Sequence, residues 1–210
     1  MRAPAVLVPF KGSRYKSRLA PILETERRKE LAYLLLDDLL RTIQKAGLSR
    51  RCYVISSDSK ARAFATRRGA SFILERRASG VNGAVRMGVR RLKGEDRFLV
   101  LPSDLAMLSA RDIEGALKAG CDAALVIAPS SSFNGTNLLL FPRRMASELS
   151  YDNNSFWNHL AAAARLRLRT AVLTSRGLVF DLDTPSDARE VADSRLNTSA
   201  AKLLRKWKLK

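Results

Sequence analysis

The sequence predicts an α/β fold, a single domain whose mostly parallel sheet is doubly wound with helices on both faces. Three observations predict it. Short apolar runs alternate along the chain with segments whose apolar residues recur at three-four spacing, the mark of strands joined by crossover helices. Phe98 to Leu101 is an unbroken apolar run, entered through Lys93-Gly94-Glu95-Asp96 and ended by Pro102, which reads as a strand buried on both faces. The 210 residues, 46% hydrophobic and 28% charged, suffice for one well-cored soluble domain and fall short of two.

The elements follow in order. Ala5 to Pro9 is a first buried strand leading into Phe10-Lys11-Gly12-Ser13-Arg14-Tyr15-Lys16-Ser17-Arg18-Leu19. In that loop Gly12 lets the backbone approach a ligand, while Lys11, Lys16 and Arg18 can converge on phosphates. The loop lacks the glycine spacing and the Gly-Lys-Ser/Thr ending of a Walker loop. Thr25 is placed to cap a helix carrying Ala32, Leu35, Leu36, Leu39 and Ile43, and Gly47 closes it. Cys52 to Ser56 is the second strand, Ser59 to Arg68 a short helix, and Ser71 to Leu74 the third strand. The small-residue turn Ala78 to Val85 then feeds a helix to about Leu92. Within it Gly80 and Asn82 stand where the chain can meet a base or ribose, although Asn before a helix is more often a cap.

After the central strand, Asp104 lies at its carboxyl end, where open α/β sheets bind ligands. A metal ligand and a turn or cap residue are both open there. Ser109 and Asp112 have capping-box spacing for the next helix. Ala123 to Pro129 is another buried strand, and Asn134-Gly135 signals a hairpin before the apolar Leu138 to Phe141. The hydroxyl-rich stretch from Ser130 to Asn137 also suits an anion. From Tyr151 a helix runs to about Leu168. It carries the only histidine, His159, expected to be packed rather than catalytic. Leu178 to Pro185 reads as a strand that ends in Asp181 and Asp183, which point the same way on an extended chain. Two such acids are costly side by side unless a cation lies between them, and with Asp104 they make a divalent-cation site economical. Pro185 and Asp187 start a last helix.

A formal net charge of +18 implies an anionic partner: nucleic acid, a nucleoside triphosphate or a phosphorylated metabolite. Arg195 to Lys210 holds six Lys or Arg and no acid, and reads as a basic C-terminal helix or tail over 196–210, outside the domain at 1–195 and solvated. Cys52 and Cys121 are too few for a disulfide framework and too far apart for a close-spaced zinc pair, so both are expected reduced. No apolar run approaches the roughly 20 residues that span a bilayer, and the N-terminus lacks a signal core, so a cytoplasmic protein without a membrane partner is expected.

Together Val8-Pro9-Phe10-Lys11, Lys16-Ser17-Arg18-Leu19, Gly80-Val81-Asn82, Leu101-Pro102-Ser103-Asp104, Asn134-Gly135-Thr136-Asn137, Ser155-Phe156 with His159, and Asp181-Leu182-Asp183-Thr184-Pro185 resemble the 2-phospho-L-lactate guanylyltransferase family. That family acts in coenzyme F420 biosynthesis, and some members take phosphoenolpyruvate. The resemblance implies a Rossmann-like nucleotidyltransferase fold and Mg²⁺ held by Asp104, Asp181 and Asp183. It also implies GTP gripped by Lys11, Gly12, Lys16 and Arg18 with Gly80 and Asn82 against base or ribose. The catalytic group is then Lys11, Lys16, Arg18 and Asp104, with Thr136 and Ser155 near the acceptor. Of the two acids, 2-phospho-L-lactate ranks slightly first on the resemblance alone. Where many relatives carry Gly ahead of the acceptor-site Ser, this chain has Asp152-Asn153-Asn154, which adds negative charge beside the acceptor.

The runner-up among enzymes is a molybdenum-cofactor guanylyltransferase-like protein, but its glycine-rich first loop is absent. A basic nucleic-acid-binding protein is the alternative class, with no recognition helix, zinc finger or stacking surface in the sequence to support it. The sequence leaves open whether the chain acts alone or as a homodimer.

Overall fold

The structure, a computed structural model, describes residues 2–11 and 16–208. Gly12, expected at the phosphates, lies outside the described residues. Seven strands among them form one sheet in the order β3-β2-β1-β4-β6-β5-β7. They are β1 (Ala5–Pro9), β2 (Cys52–Ser56), β3 (Ser71–Leu74), β4 (Arg97–Val100), β5 (Leu125–Pro129), β6 (Thr136–Pro142) and β7 (Thr170–Val172). All neighbours run parallel except β6, which is antiparallel to both β4 and β5. The Asn134-Gly135 signal therefore did make a hairpin. It also turns β6 over, so that its first residue, Thr136, lies at the edge where the parallel strands end.

The period of two along each strand divides the core between the two faces. Val6, Val8, Leu99 and Leu101 face one side, under α1 (Thr25–Lys45) and α4 (Ala110–Asp122). Ala5, Leu7, Phe98 and Val100 face the other, under α3 (Gly80–Arg91) and α5 (Ser155–Arg165). Helix α1 sends Leu36, Leu40 and Ile43 into the first layer, each at most 1% exposed, which stabilises the fold by about 2 kcal/mol per side chain. Helix α3 lies so close to the sheet that a Cβ on Gly88 would come within 2.8 Å of Ile55 Cδ1. A larger residue there would have to displace the Ile55 and Leu7 side chains, so glycine favours the close approach of α3 to the sheet.

Several local expectations needed correction. Helix α1 begins at Thr25 itself, with Glu24 as the preceding residue, so Thr25 does not cap it. Gly80 to Asn82 are the first turn of α3, not a turn before it. The run Leu178 to Pro185 is no strand: it divides into the short α6 (Arg176–Val179), an irregular stretch, and α7 (Pro185–Asp193), whose capping box joins Thr184 and Asp187. The stretch carrying Asp181 and Asp183 is tied to the segment after β4 by Leu182 N–H donating to Asp104 O at 3.0 Å, and to β6 by Asn137 Nδ2 donating to Val179 O at 3.1 Å.

The solvated tail is also corrected. Ser199–Trp207 forms α8, whose Ala200, Ala201 and Leu204 are fully buried. The Asp38 carboxylate accepts from the N–H of Ser199 (3.0 Å) and of Ala200 (2.8 Å), filling two of the helix's free N-terminal donors. Arg205 donates to Ser194 O and Leu196 O, both at 2.9 Å. Its charges lie on one face and its apolar residues on the other. Among the described residues no helix is long and apolar enough to cross a membrane.

Candidate active site

The strand order reverses at β1, with β2 on one side and β4 on the other, and the crevice at that point is where doubly wound sheets hold ligands. Here the crevice opens into two adjoining cavities of about 330 and 610 Å³. Pro9, Arg18, Val81, Pro102, Asp104 and Asp183 line both, so they form one continuous cleft.

The smaller half holds Lys11 and Lys16 beside Arg18. Lys16 takes a left-handed backbone conformation, φ +42°, unusual for a residue with a long side chain and a mark of a segment held by its surroundings. Its Nζ lies 3.1 Å from Asp104 Oδ2 and 3.1 Å from Asp183 Oδ1, while Arg18 Nη1 lies 3.2 Å from Asp183 Oδ2. Burial alone would pull the Lys16 pKa down, but the two carboxylates outweigh it and the net shift is upward. The ammonium therefore stays charged in a place shielded from water.

Asp104 and Asp183 stand at the junction of the halves, and Asp181 lines the larger one. Burial first, then the charges of Asp104 and Asp183, raise the Asp181 pKa; Asn137, donating to its Oδ1 at 3.5 Å, only partly opposes them. The structure thus brings together the three acids expected at a metal. Among the described residues no group of three or more His, Cys, Asp or Glu side chains is drawn to one point as a preformed centre. The donor set still fits a hard divalent cation, being carboxylate oxygens whose mutual repulsion a cation would relieve.

The larger half is walled by hydroxyls. Thr136, Ser155 and His159 form a buried chain: Ser155 Oγ donates to Thr136 Oγ1 at 3.1 Å, and His159 Nδ1 lies 3.0 Å from the same oxygen. His159 is packed, as expected, but it is packed against the Thr136 and Ser155 hydroxyls, a link that no sequence spacing announced. Asp152 is also on this wall.

Neither Gly80 nor Asn82 is among the residues lining the two cavities. Val81, between them, faces the cleft, whereas Asn82 spans to the loop before α5: its Nδ2 donates to Asp152 Oδ1 at 3.1 Å and its Oδ1 accepts from Tyr151 N–H at 2.7 Å. The start of α3 is thereby tied to the hydroxyl wall.

Burial of His159 lowers its pKa from 6.5 to about 4, so the ring is neutral at pH 7. A base with a depressed folded-state pKa binds fewer protons folded than unfolded between those values, so stability falls as pH drops from 6.5 towards 4. The loss attributable to this ring is roughly 3 kcal/mol. Urea melts at pH 7 and pH 4.5 should show a larger drop for wild type than for His159→Phe; equal drops would mean the ring titrates normally.

The chain is similar to known proteins over most of its length. The family described as "Guanylyl transferase CofC like" matches residues 4–210. A 2-phospho-L-lactate guanylyltransferase of Methanocaldococcus sp. (strain FS406-22) is 30% identical over 89% of this chain and 80% of its own length. A 3-phospho-D-glycerate guanylyltransferase of Phenylobacterium zucineum is 31% identical over 96% of this chain and 95% of its own. Among solved structures, a putative nucleotide-diphospho-sugar transferase from Desulfovibrio desulfuricans G20 superposes with a TM-score of 0.74 at 16% identity, covering 97% of this chain and 95% of that one, which shows the shared fold. The strand order, the cleft at the strand ends and the match over nearly the whole sequence lead to one conclusion: the chain belongs to the CofC-like guanylyl transferase family.

Proposed function

We propose that the protein joins GMP from GTP to a small phosphorylated three-carbon acid and releases pyrophosphate, a step of coenzyme F420 biosynthesis. The candidate acceptors are 2-phospho-L-lactate, phosphoenolpyruvate and 3-phosphoglycerate. One observation carries the reading: a single cleft has cations in one half, carboxylates at the junction and hydroxyls in the other. That is the order in which a triphosphate, its α-phosphorus and an anionic acceptor would lie.

In the reaction an oxygen of the acceptor's phosphate attacks the α-phosphorus of GTP. A phosphoanhydride forms, the α–β bridge breaks, and its electron pair leaves with pyrophosphate. A phosphomonoester has a second pKa of about 6 and is already an anion at neutral pH, so no side chain need take a proton. The work left to the protein is positioning and charge cancellation. Lys11, Lys16 and Arg18 bind the phosphates, and Thr136 and Ser155 orient the acceptor. Asp104, Asp181 and Asp183 would hold Mg²⁺, which when bound supplies the positive charge that lets two polyanions meet. Asp104, Asp152, Asp181 and Asp183 all line the larger half; Lys16 and Arg18 pair with Asp104 and Asp183, and a divalent cation would add to that positive charge where Asp181 joins them.

The acceptor assignment is checked kinetically with GTP saturating. On the acid turned over fastest, Thr136→Val and Ser155→Ala should each raise the acceptor KM or lower kcat by about tenfold, as for a lost hydrogen bond to a charged ligand, with the GTP KM unchanged. Wild-type kinetics in both variants would place the acceptor elsewhere.

A further inference from the structure

Hydrogen-bond bookkeeping gives the buried hydroxyl pair a direction. His159 Nε2 accepts from Ser150 N–H at 3.2 Å. In a neutral imidazole an accepting Nε2 puts the proton on Nδ1, so Nδ1–H donates to Thr136 Oγ1. Ser155 O–H donates to the same oxygen. Both acceptor positions of Thr136 are then filled, and its own proton is left for the cavity it lines. Ser155 has spent its proton and offers lone pairs alone. Asp152, on the same wall, is likewise an acceptor, fixed by Asn82 Nδ2 at 3.1 Å and Ser150 Oγ at 3.2 Å.

We propose that His159 is a positioning residue that fixes Thr136 as a donor and Ser155 as an acceptor towards the cavity, so that this half of the cleft selects a phosphorylated acid with a free hydroxyl beside its carboxylate. The inference rests on reading this half as the acceptor site. Thr136 takes an anionic oxygen of the ligand, and Ser155 with Asp152 takes the hydroxyl proton. Phosphoenolpyruvate and 2-phospho-L-lactate have no free hydroxyl and would set anionic oxygens against the lone pairs of Ser155 and Asp152. A 2-hydroxy-3-phospho acid such as 3-phosphoglycerate satisfies both sides.

Two measurements test it. The chain has one histidine, so ¹⁵N NMR of wild type reads its tautomer without ambiguity. Protonated Nδ1 and bare Nε2 at pH 7 are expected; the opposite tautomer would have Thr136 donate to the ring and overturns the proposal. In steady-state assays kcat/KM for 3-phosphoglycerate should exceed that for either other acid by about tenfold or more, since a site built to bond a hydroxyl rejects analogues lacking it. Ser155→Ala should erase most of that preference. His159→Asn, which keeps an N–H near the Nδ1 position, should retain more of it than His159→Phe. Equal use of the three acids, or a preference untouched by Ser155→Ala, overturns the proposal. If wild type shows the Nδ1–H tautomer yet turns over none of the acids, the donor assignment stands and the acceptor reading of the cleft falls instead.

Discussion

Asp104→Asn is expected to leave the protein folded and to cut guanylyl transfer by roughly 10²-fold or more, about 3 kcal/mol of transition-state stabilisation. Asp104 follows β4 at the carboxyl edge of the sheet, pairs with Lys16 and stands at the junction of the two half-cavities. The substitution keeps the shape and removes the charge. Folding should tolerate this, because Lys16 retains Asp183 as a partner at 3.1 Å and the Asp104 side chain is 28% exposed. Charge cancellation at the α-phosphorus should not tolerate it. A folded Asp104→Asn enzyme with wild-type turnover and wild-type dependence on Mg²⁺ would remove Asp104 from the site.

Loss of α8 should be the most damaging change to stability. One apolar cluster contains Leu19 from the loop that carries Lys16 and Arg18, Ala106 beside Asp104, and Leu182 between Asp181 and Asp183. Ala200, Ala201 and Leu204 of α8 belong to that same cluster. The helix thus backs the segments that bring Lys16, Arg18, Asp104, Asp181 and Asp183 to the cleft. Leu204→Ala should cost about 2–5 kcal/mol, the usual range for truncating a fully buried leucine. Deleting the residues after Asn197 should cost more, because it also leaves the Asp38 carboxylate buried without its two N–H partners. The expected result is a truncation that is largely unfolded or insoluble, and a Leu204→Ala variant with a lowered urea midpoint. A soluble truncation with a wild-type midpoint and activity would restore the tail to solvent.

What the sequence made legible follows physical lines. β1, β2 and β4 are continuous apolar runs because both of their faces are covered, and such runs stand out against charged surroundings. The position of Asp104 just past the end of β4 was readable because Pro102 closes the apolar run. The run Leu178-Val179-Phe180 misled because a short apolar stretch looks alike in a buried strand and a short helix. β7 is three residues long with its ends exposed, and so has no apolar signature. In α8 the charge count hid a readable pattern, since Ala200, Ala201 and Leu204 keep three-four spacing. The Asn82–Asp152 and His159–Thr136 contacts join residues 70 and 23 positions apart, and only the fold brings them together.

Acceptor-dependent release of pyrophosphate tests the whole account most directly. The purified protein would be given Mg²⁺, each of the four nucleoside triphosphates and each of the three phosphorylated acids in turn. Pyrophosphate should appear with GTP and one of the acids together, stop when the acid is omitted or the metal chelated, and accompany a product in which GMP is joined to the acid. Release that ignores the acid, or no release with any pairing from a folded protein that binds GTP, would contradict the assignment of the cleft to guanylyl transfer.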